Sequence, residues 1–135
     1  MTTWLSHHPP EELDRTWSIA GVHVCARCLG LYPVLIAGIV LQFVWRTPLR
    51  LPLEGLWGLV LAAPAILDWG YGRLRPRAGT NAWRALTGAL IGVALARSLY
   101  VHFQRPWPPL LLAQLGLVAV VVVPVLLHGF LRGSR

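Results

Sequence analysis

Charge is what this sequence lacks most. Only 13% of its 135 residues are charged, five of these are acidic, and lysine is absent. Soluble domains usually carry about 25% charged residues, so the composition argues against a water-facing globular surface. Arginines supply all the positive charge behind the net charge of +7, and most of them lie outside the apolar segments. We therefore expect contact with anionic lipid, and we do not expect nucleic acid as a partner.

Cysteine is nearly absent, because Cys25 and Cys28 are the only two. Their spacing is too short for a disulfide that staples a fold, and it is typical of a metal-ligand pair or a redox pair. A cleavable signal peptide is not expected either, since residues 1–28 contain acidic side chains and no apolar core. The apolar segments themselves would then direct insertion into a membrane.

Apolar residues make up 56% of the chain and are concentrated in four runs. Each run approaches the roughly 20 residues that cross about 30 Å of hydrocarbon. The sequence therefore predicts an all-α fold, an integral membrane bundle of about four transmembrane helices. A polar, irregular N-terminal segment of residues 1–28, with a short helix after Pro9-Pro10, precedes the membrane domain of residues 29–135. The predicted spans are about 29–45, 53–69, 82–103 and 110–131.

The distribution of arginines predicts the orientation. With four crossings, residues 1–28, the loop 70–84 and the C-terminus share one side, which holds eight arginines against three on the other. Because cytoplasmic loops are enriched in basic residues, we expect both termini on the cytoplasmic side of the inner membrane.

Small residues form a face on the third predicted helix. Gly88, Gly92 and Ala96 recur every four residues, a spacing that lets helix backbones approach closely in a bilayer. Two interpretations stay open: packing within the chain, or the interface of a homodimer.

The cysteine pair and nearby histidines carry the chemistry of the N-terminal segment. Cys25 and Cys28 with His7 and His8 match the ligand set of a zinc site. Two other interpretations remain: a thiol–disulfide redox pair and incidental cysteines. A cytoplasmic location weakens the redox interpretation, because thiols are kept reduced there.

The zinc hypothesis extends to catalysis only if the metal keeps an open position. Water bound there would need a base, for which Glu11 and Glu12 are the candidates, and the protein would be a metal-dependent membrane hydrolase or transferase. The alternatives are a membrane thiol oxidoreductase that uses the two cysteines, a non-catalytic membrane subunit, or a small transporter.

A second polar cluster joins the second and third spans. Asp68 closes one span and Arg84 opens the next, so both should lie at the same interface as Cys28, with Asn81 beside them. Ionisable groups at such a depth usually pair or mark a site. Asp68 and Arg84 are the expected pair. The cluster is either a structural salt bridge or a pocket in which Arg84 and Asn81 bind an anionic lipid head group. Arg97, deeper in the third span, is interpreted as structural.

Several stretches together resemble a family of small prokaryotic membrane proteins, domain of unknown function 2085, over roughly residues 4–95. They are Ser6-His-His-Pro-Pro-Glu11, Asp14-Arg15, Cys25-Ala-Arg-Cys-Leu-Gly-Leu-Tyr32, Asp68-Trp-Gly70 and Thr80-Asn-Ala-Trp-Arg84 through Thr87-Gly88. The resemblance implies a multi-pass membrane protein and supplies no reaction. Many members carry a cysteine where this chain has Ser6, so the two histidines are the more favoured ligands here. The resemblance also implies that both clusters form one site, composed of His7, His8, Cys25, Cys28, Asp68, Asn81 and Arg84.

Overall fold

Four helices and a small hairpin make up the protein. The computed structural model describes residues 10–49, 53–74 and 79–133. A short 3-10 helix, Pro10–Arg15, comes first, in agreement with the short helix expected after the two prolines. In chain order there follow β1 (Thr16–Ile19), β2 (Val22–Cys25), α1 (Ala26–Val44), α2 (Leu53–Leu74), α3 (Asn81–Gln104) and α4 (Pro109–Gly133). The predicted all-α class is confirmed, and each apolar run is a helix.

The helix ends differ from the predicted span ends by more than two residues in two places. Helix α1 begins at Ala26 because β2 runs directly into it; Cys25 is both the last residue of β2 and the N-cap of α1. Helix α2 continues past Asp68-Trp69-Gly70 to Leu74. A polar interface does not by itself end a helix, whereas a proline disfavours helical geometry for the residue before it. Pro76 in the sequence accounts for an end near Leu74.

Three of the helices in the described ranges are long and apolar enough to cross a membrane. They are α1, α3 and the segment Leu111–His128 of α4. Helix α2 does not meet the same criterion, since it includes Asp68 and several glycines. Its 22 residues nevertheless give a length of about 33 Å. That α2 also crosses the bilayer stays a prediction.

Helices α1 and α3 are parallel neighbours, and α2 runs antiparallel to both. The start of α1 meets the end of α2 through Arg27 and Asp68, whereas Gly58 near the start of α2 faces Ser98 and Gln114. The hairpin, the start of α1, the end of α2 and the start of α3 therefore lie together; we call this region the hairpin end. The ends of α1 and α3 and the start of α4 form the opposite end.

Close backbone contact holds α1 against α3. A side chain on Gly30 would collide with the carbonyl oxygen of Ala85, and one on Gly88 would collide with that of Arg27. A Cβ on Gly92 would lie 2.8 Å from the carbonyl oxygen of Leu31. The small-residue face of α3 thus packs within the chain, which was one of the two interpretations left open.

The prediction that residues 16–25 are irregular is wrong. Strands β1 and β2 form an antiparallel hairpin in which Thr16 pairs with Cys25 and Ile19 with Val22. The turn consists of Ala20 and Gly21, with φ of 50° and 80°. Two positive φ values are typical of a type I′ turn, which usually carries Asn-Gly or Gly-Gly. Alanine at the first turn position obscured this signal.

Candidate functional site at the hairpin end

The two cysteines lie side by side where β2 becomes α1. Both are free thiols; Cys25 is buried and Cys28 is half-buried, and the two side chains are close enough to interact. Cys25 is the last strand residue and Cys28 lies in the first helical turn, so the change from strand to helix brings the two sulfurs to the same side. The two thiols therefore lie close to each other at the strand–helix junction.

The remaining predicted ligands and the two candidate bases lie outside the part of the chain whose side chains the structure describes. His7 and His8 lie outside the described residues, and Glu11 and Glu12 belong to the 3-10 helix but their side chains are also outside the described part. Among the described residues, no three His, Cys, Asp or Glu side chains gather closely enough to hold a metal ion. The structure thus supplies two thiols of the predicted set of four ligands.

The nearby imidazole of His23 is engaged within the hairpin. Its Nδ1 lies 3.0 Å from the hydroxyl oxygen of Thr16, and the same hydroxyl donates its proton to the carbonyl oxygen of Leu13 at 2.6 Å. Because a hydroxyl has only one proton to donate, Thr16 accepts from the Nδ1–H of His23. This bond fixes the orientation of the His23 ring.

An ion pair beneath the cysteines was not anticipated from the sequence. Arg27, which lies between the two cysteines, donates to the carboxylate of Asp68. The side chains are 25% and 9% exposed, respectively. The expected partner of Asp68 was Arg84. The available signal is that Arg27 directly precedes the first predicted span, at the depth where Asp68 closes the second.

Asp68 and Arg84 are nevertheless close together. Gly79, with a φ of +89°, has Asp68 Oδ1 and a guanidinium nitrogen of Arg84 both within 4 Å of the position that its Cβ would occupy. Arg84 is buried, with 8% exposure, and donates to Asn81 Oδ1 at 3.0 Å. Asp68, Asn81 and Arg84 thus lie around Gly79 at one end of the helices, and the binding role expected for them stays a prediction.

Asn81 fastens the N-terminal hairpin to the helices. Its amide nitrogen donates to the carbonyl oxygens of Asp14 and Thr16, at 2.8 and 3.1 Å. The preceding Thr80 caps α3 by accepting from the backbone N–H of Trp83 at 3.2 Å. Arg15 adds a long contact of 3.4 Å to the carbonyl oxygen of Gly72 on α2. The polar cluster therefore connects hairpin, α2 and α3.

One buried donor in this cluster has no partner. Among the described side chains, Arg27 Nε is the only buried nitrogen or oxygen atom without a hydrogen bond. A buried, unsatisfied N–H is costly and calls for an explanation. Here it is a donor that an anionic group close to the cysteine pair could use.

These features define a small multi-pass membrane protein with a polar cluster at one end of its helices. A protein-family model described as "Predicted membrane protein (DUF2085)" matches residues 10–98. The chain belongs to this family, as the resemblance indicated. The match includes the hairpin and the polar cluster and leaves out α4. No curated protein and no solved structure matches the chain.

Proposed function

We propose that this membrane protein binds zinc at the hairpin end, through Cys25, Cys28 and one or both of His7 and His8. The observation that carries the proposal is the pair of adjacent free thiols at the strand–helix junction. Zinc prefers sulfur and imidazole ligands in tetrahedral sites, and the two thiols at the strand–helix junction would supply its sulfur ligands.

The charge of such a site suits its surroundings. Two thiolates neutralise Zn²⁺, and neutral imidazoles add no charge, so the complete site has no net charge next to the apolar residues of α1. Arg27 Nε, a buried donor without a partner, could donate to a metal-bound sulfur. Hydrogen bonds of this outer-shell kind are common around metal sites.

The polar cluster favours a structural role for the metal over a catalytic one. Asn81 already donates to two carbonyl groups of the N-terminal segment, and Asp68 already pairs with Arg27. A phosphate or carboxylate head group at Asn81 and Arg84 would have to compete with these contacts. We therefore propose that zinc and the cluster together clamp the N-terminal segment over the helix ends. Hydrolysis with Glu11 or Glu12 as base is the less supported extension.

The proposal includes orientation. We place the hairpin end in the cytoplasm on the basis of the arginine distribution, and there the thiols would stay reduced and able to bind metal.

The test is the metal content of the full chain, purified in detergent without chelators. We expect about one zinc per chain in the wild type and none after Cys25→Ser with Cys28→Ser. His7→Ala with His8→Ala should lower the zinc content, whereas His23→Ala, which removes an imidazole held by Thr16, should retain it. Wild-type protein without stoichiometric zinc, or a double serine variant that keeps its zinc, would refute the proposal.

A membrane thiol oxidoreductase is the second candidate, because the same two free thiols lie close to each other and could form a disulfide. Thiol trapping in cells separates the two functions. A pair that is always reduced supports the zinc site, whereas an oxidised pair or a mixed disulfide with a partner protein supports the oxidoreductase.

A further inference from the structure

A cleft of about 470 Å³ lies at the opposite end of the protein, far from the cysteines. It opens between the end of α1, the residues that follow it, and the end of α3. Phe43, Leu49 and Tyr100 form apolar walls, and Arg46, Thr47 and Gln104 supply polar groups.

The wall of the cleft is held in place by an arginine. Arg97 donates to Gln42 Oε1 at 2.9 Å and to the carbonyl oxygen of Pro48 at 2.7 Å. Its guanidinium also lies 5.5 Å from the ring centre of Tyr100, whose hydroxyl donates to the carbonyl oxygen of Thr47 at 3.2 Å. These bonds tie the residues after α1 to α3, so the cleft is formed before any ligand enters. The structural interpretation of Arg97 agrees with these contacts.

Arg46 occupies a backbone position that normally belongs to glycine. The N–H of Arg46 reaches the carbonyl oxygen of Phe43 and that of Thr47 reaches Gln42, at 3.4 and 3.1 Å. This is the Schellman pattern at a helix end, in which the residue with positive φ is usually glycine. Arg46 has a φ of 46° and retains a long cationic side chain there. The chain therefore accepts a backbone cost that places a guanidinium at the rim of the cleft.

The polar side chains of the cleft have no partners among the described residues. Within the described part of the chain, the side chains of Arg46, Thr47 and Gln104 make no hydrogen bond or ion pair. A guanidinium, a hydroxyl and an amide are suitable donors for the oxygens of a phosphate group. Exposed Trp45 and Trp107 lie near this end, and tryptophan favours the depth of lipid head groups.

From these observations we propose that the cleft binds the phosphate of an anionic membrane phospholipid. Arg46 would contact the phosphate, while Thr47 and Gln104 would donate to its oxygens or to the rest of the head group. The first carbons of the acyl chains would lie against Phe43, Leu49 and Tyr100. This site shares no residue with the proposed zinc site and does not depend on it.

The experiment compares lipid binding by three forms of the full chain: wild type, Arg46→Gly and Arg105→Gln. Phosphatidylglycerol is titrated into the detergent-solubilised protein, and bound lipid is measured by native mass spectrometry. Arg46→Gly removes the cation while suiting the positive φ, so the fold should be at least as stable. Arg105→Gln removes an exposed arginine at the same end of the protein that lies outside the cleft.

We expect Arg46→Gly to weaken phosphatidylglycerol binding about tenfold, because it removes one strong charged hydrogen bond. The affinity of Arg105→Gln for the same lipid should stay within about twofold of the wild type. Gln104→Ala should weaken it less than Arg46→Gly. Phosphatidylcholine should bind more weakly than phosphatidylglycerol, and inorganic phosphate should not displace the lipid. Equal losses for Arg46→Gly and Arg105→Gln would overturn the proposal, because they would show general surface attraction. Displacement by inorganic phosphate would also overturn it, because it would show a site for the free anion.

Discussion

The carboxylate of Asp68 is predicted to be more important for stability than either arginine near it. Asp68 is nearly buried and pairs with Arg27, and it lies close to Arg84. Asp68→Asn would leave two guanidinium groups near each other without an anion between them. Breaking a buried ion pair by removing one partner costs about 3–5 kcal/mol. We expect about 3 kcal/mol here, because Arg27 retains some access to solvent.

Removing Arg27 should cost less than removing Asp68. In Arg27→Gln the guanidinium of Arg84 remains close to the carboxylate, so the charge of Asp68 is not left isolated. We expect a loss of about 1.5 kcal/mol, and the double variant should be about as unstable as Asp68→Asn alone. The coupling energy between the two positions would then be about 1.5 kcal/mol, within the range found for residues in direct contact.

The measurement is reversible unfolding of the purified full chain in one detergent, with the free energy of unfolding determined for both single variants and the double variant. Arg105→Gln is the control, because it removes an exposed arginine at the opposite end and should change stability by less than about 0.5 kcal/mol. Costs that simply add in the double variant, or an Asp68→Asn variant as stable as the control, would show that this ion pair does not hold the helix ends together.

Three further variants test the fold around the site. Asn81→Ala should remove the hairpin's anchor, lower the free energy of unfolding by about 1–2 kcal/mol and speed amide hydrogen exchange in residues 16–25. The control is the neighbouring Thr80→Ala. It should weaken only the cap of α3, by about 1 kcal/mol, and leave hydrogen exchange in the hairpin unchanged. Gly88→Ala should separate α1 from α3 at a cost of about 1–3 kcal/mol in detergent unfolding. Gly116→Ala has nothing within 4 Å of its added carbon and should not lower stability, because alanine favours a helix over glycine. Ala20→Gly should suit the positive φ of the turn, stabilise the hairpin by about 1 kcal/mol and slow its hydrogen exchange; unchanged exchange would argue against the type I′ turn.

The helices could be predicted because their signal is long and local. A run of apolar residues near the thickness of a bilayer indicates a helix whatever its neighbours are, and all four runs are helical. The hairpin depends on a weaker signal, since each strand has only four residues. Its turn carries Ala20 where a type I′ turn favours Asn or Gly, so no local residue marked it.

The sequence predicts where the polar cluster lies, but not which of its side chains bond to each other. The cysteines and the loop before α3 are separated by two helices, α1 and α2, so the chain returns to the end that holds the cysteines. Asp68 and Arg84 therefore lie at that end, and charges at that depth are expected to meet. Which arginine donates to Asp68 depends on the rotation of α1 about its axis. The close contacts of Gly30 with Ala85 and of Gly88 with Arg27 set that rotation. The bonds of Asn81 go to backbone carbonyl groups, which the sequence pattern does not identify as acceptors.

The arginines at the two ends of the protein differ in whether they bond to other protein groups. This difference distinguishes the proposed structural clamp at the hairpin end from the proposed lipid site at the opposite end. At the hairpin end, Arg27 and Arg84 donate to side chains of the protein itself, so the cluster is stable without an added anion. At the opposite end, the guanidinium of Arg46 has no partner in the described chain, although its backbone occupies a costly conformation. Charged groups near the hydrocarbon of a membrane are retained only where something offsets their cost. For Arg27 and Arg84 the protein supplies that partner, and for Arg46 the lipid is the partner that its position favours.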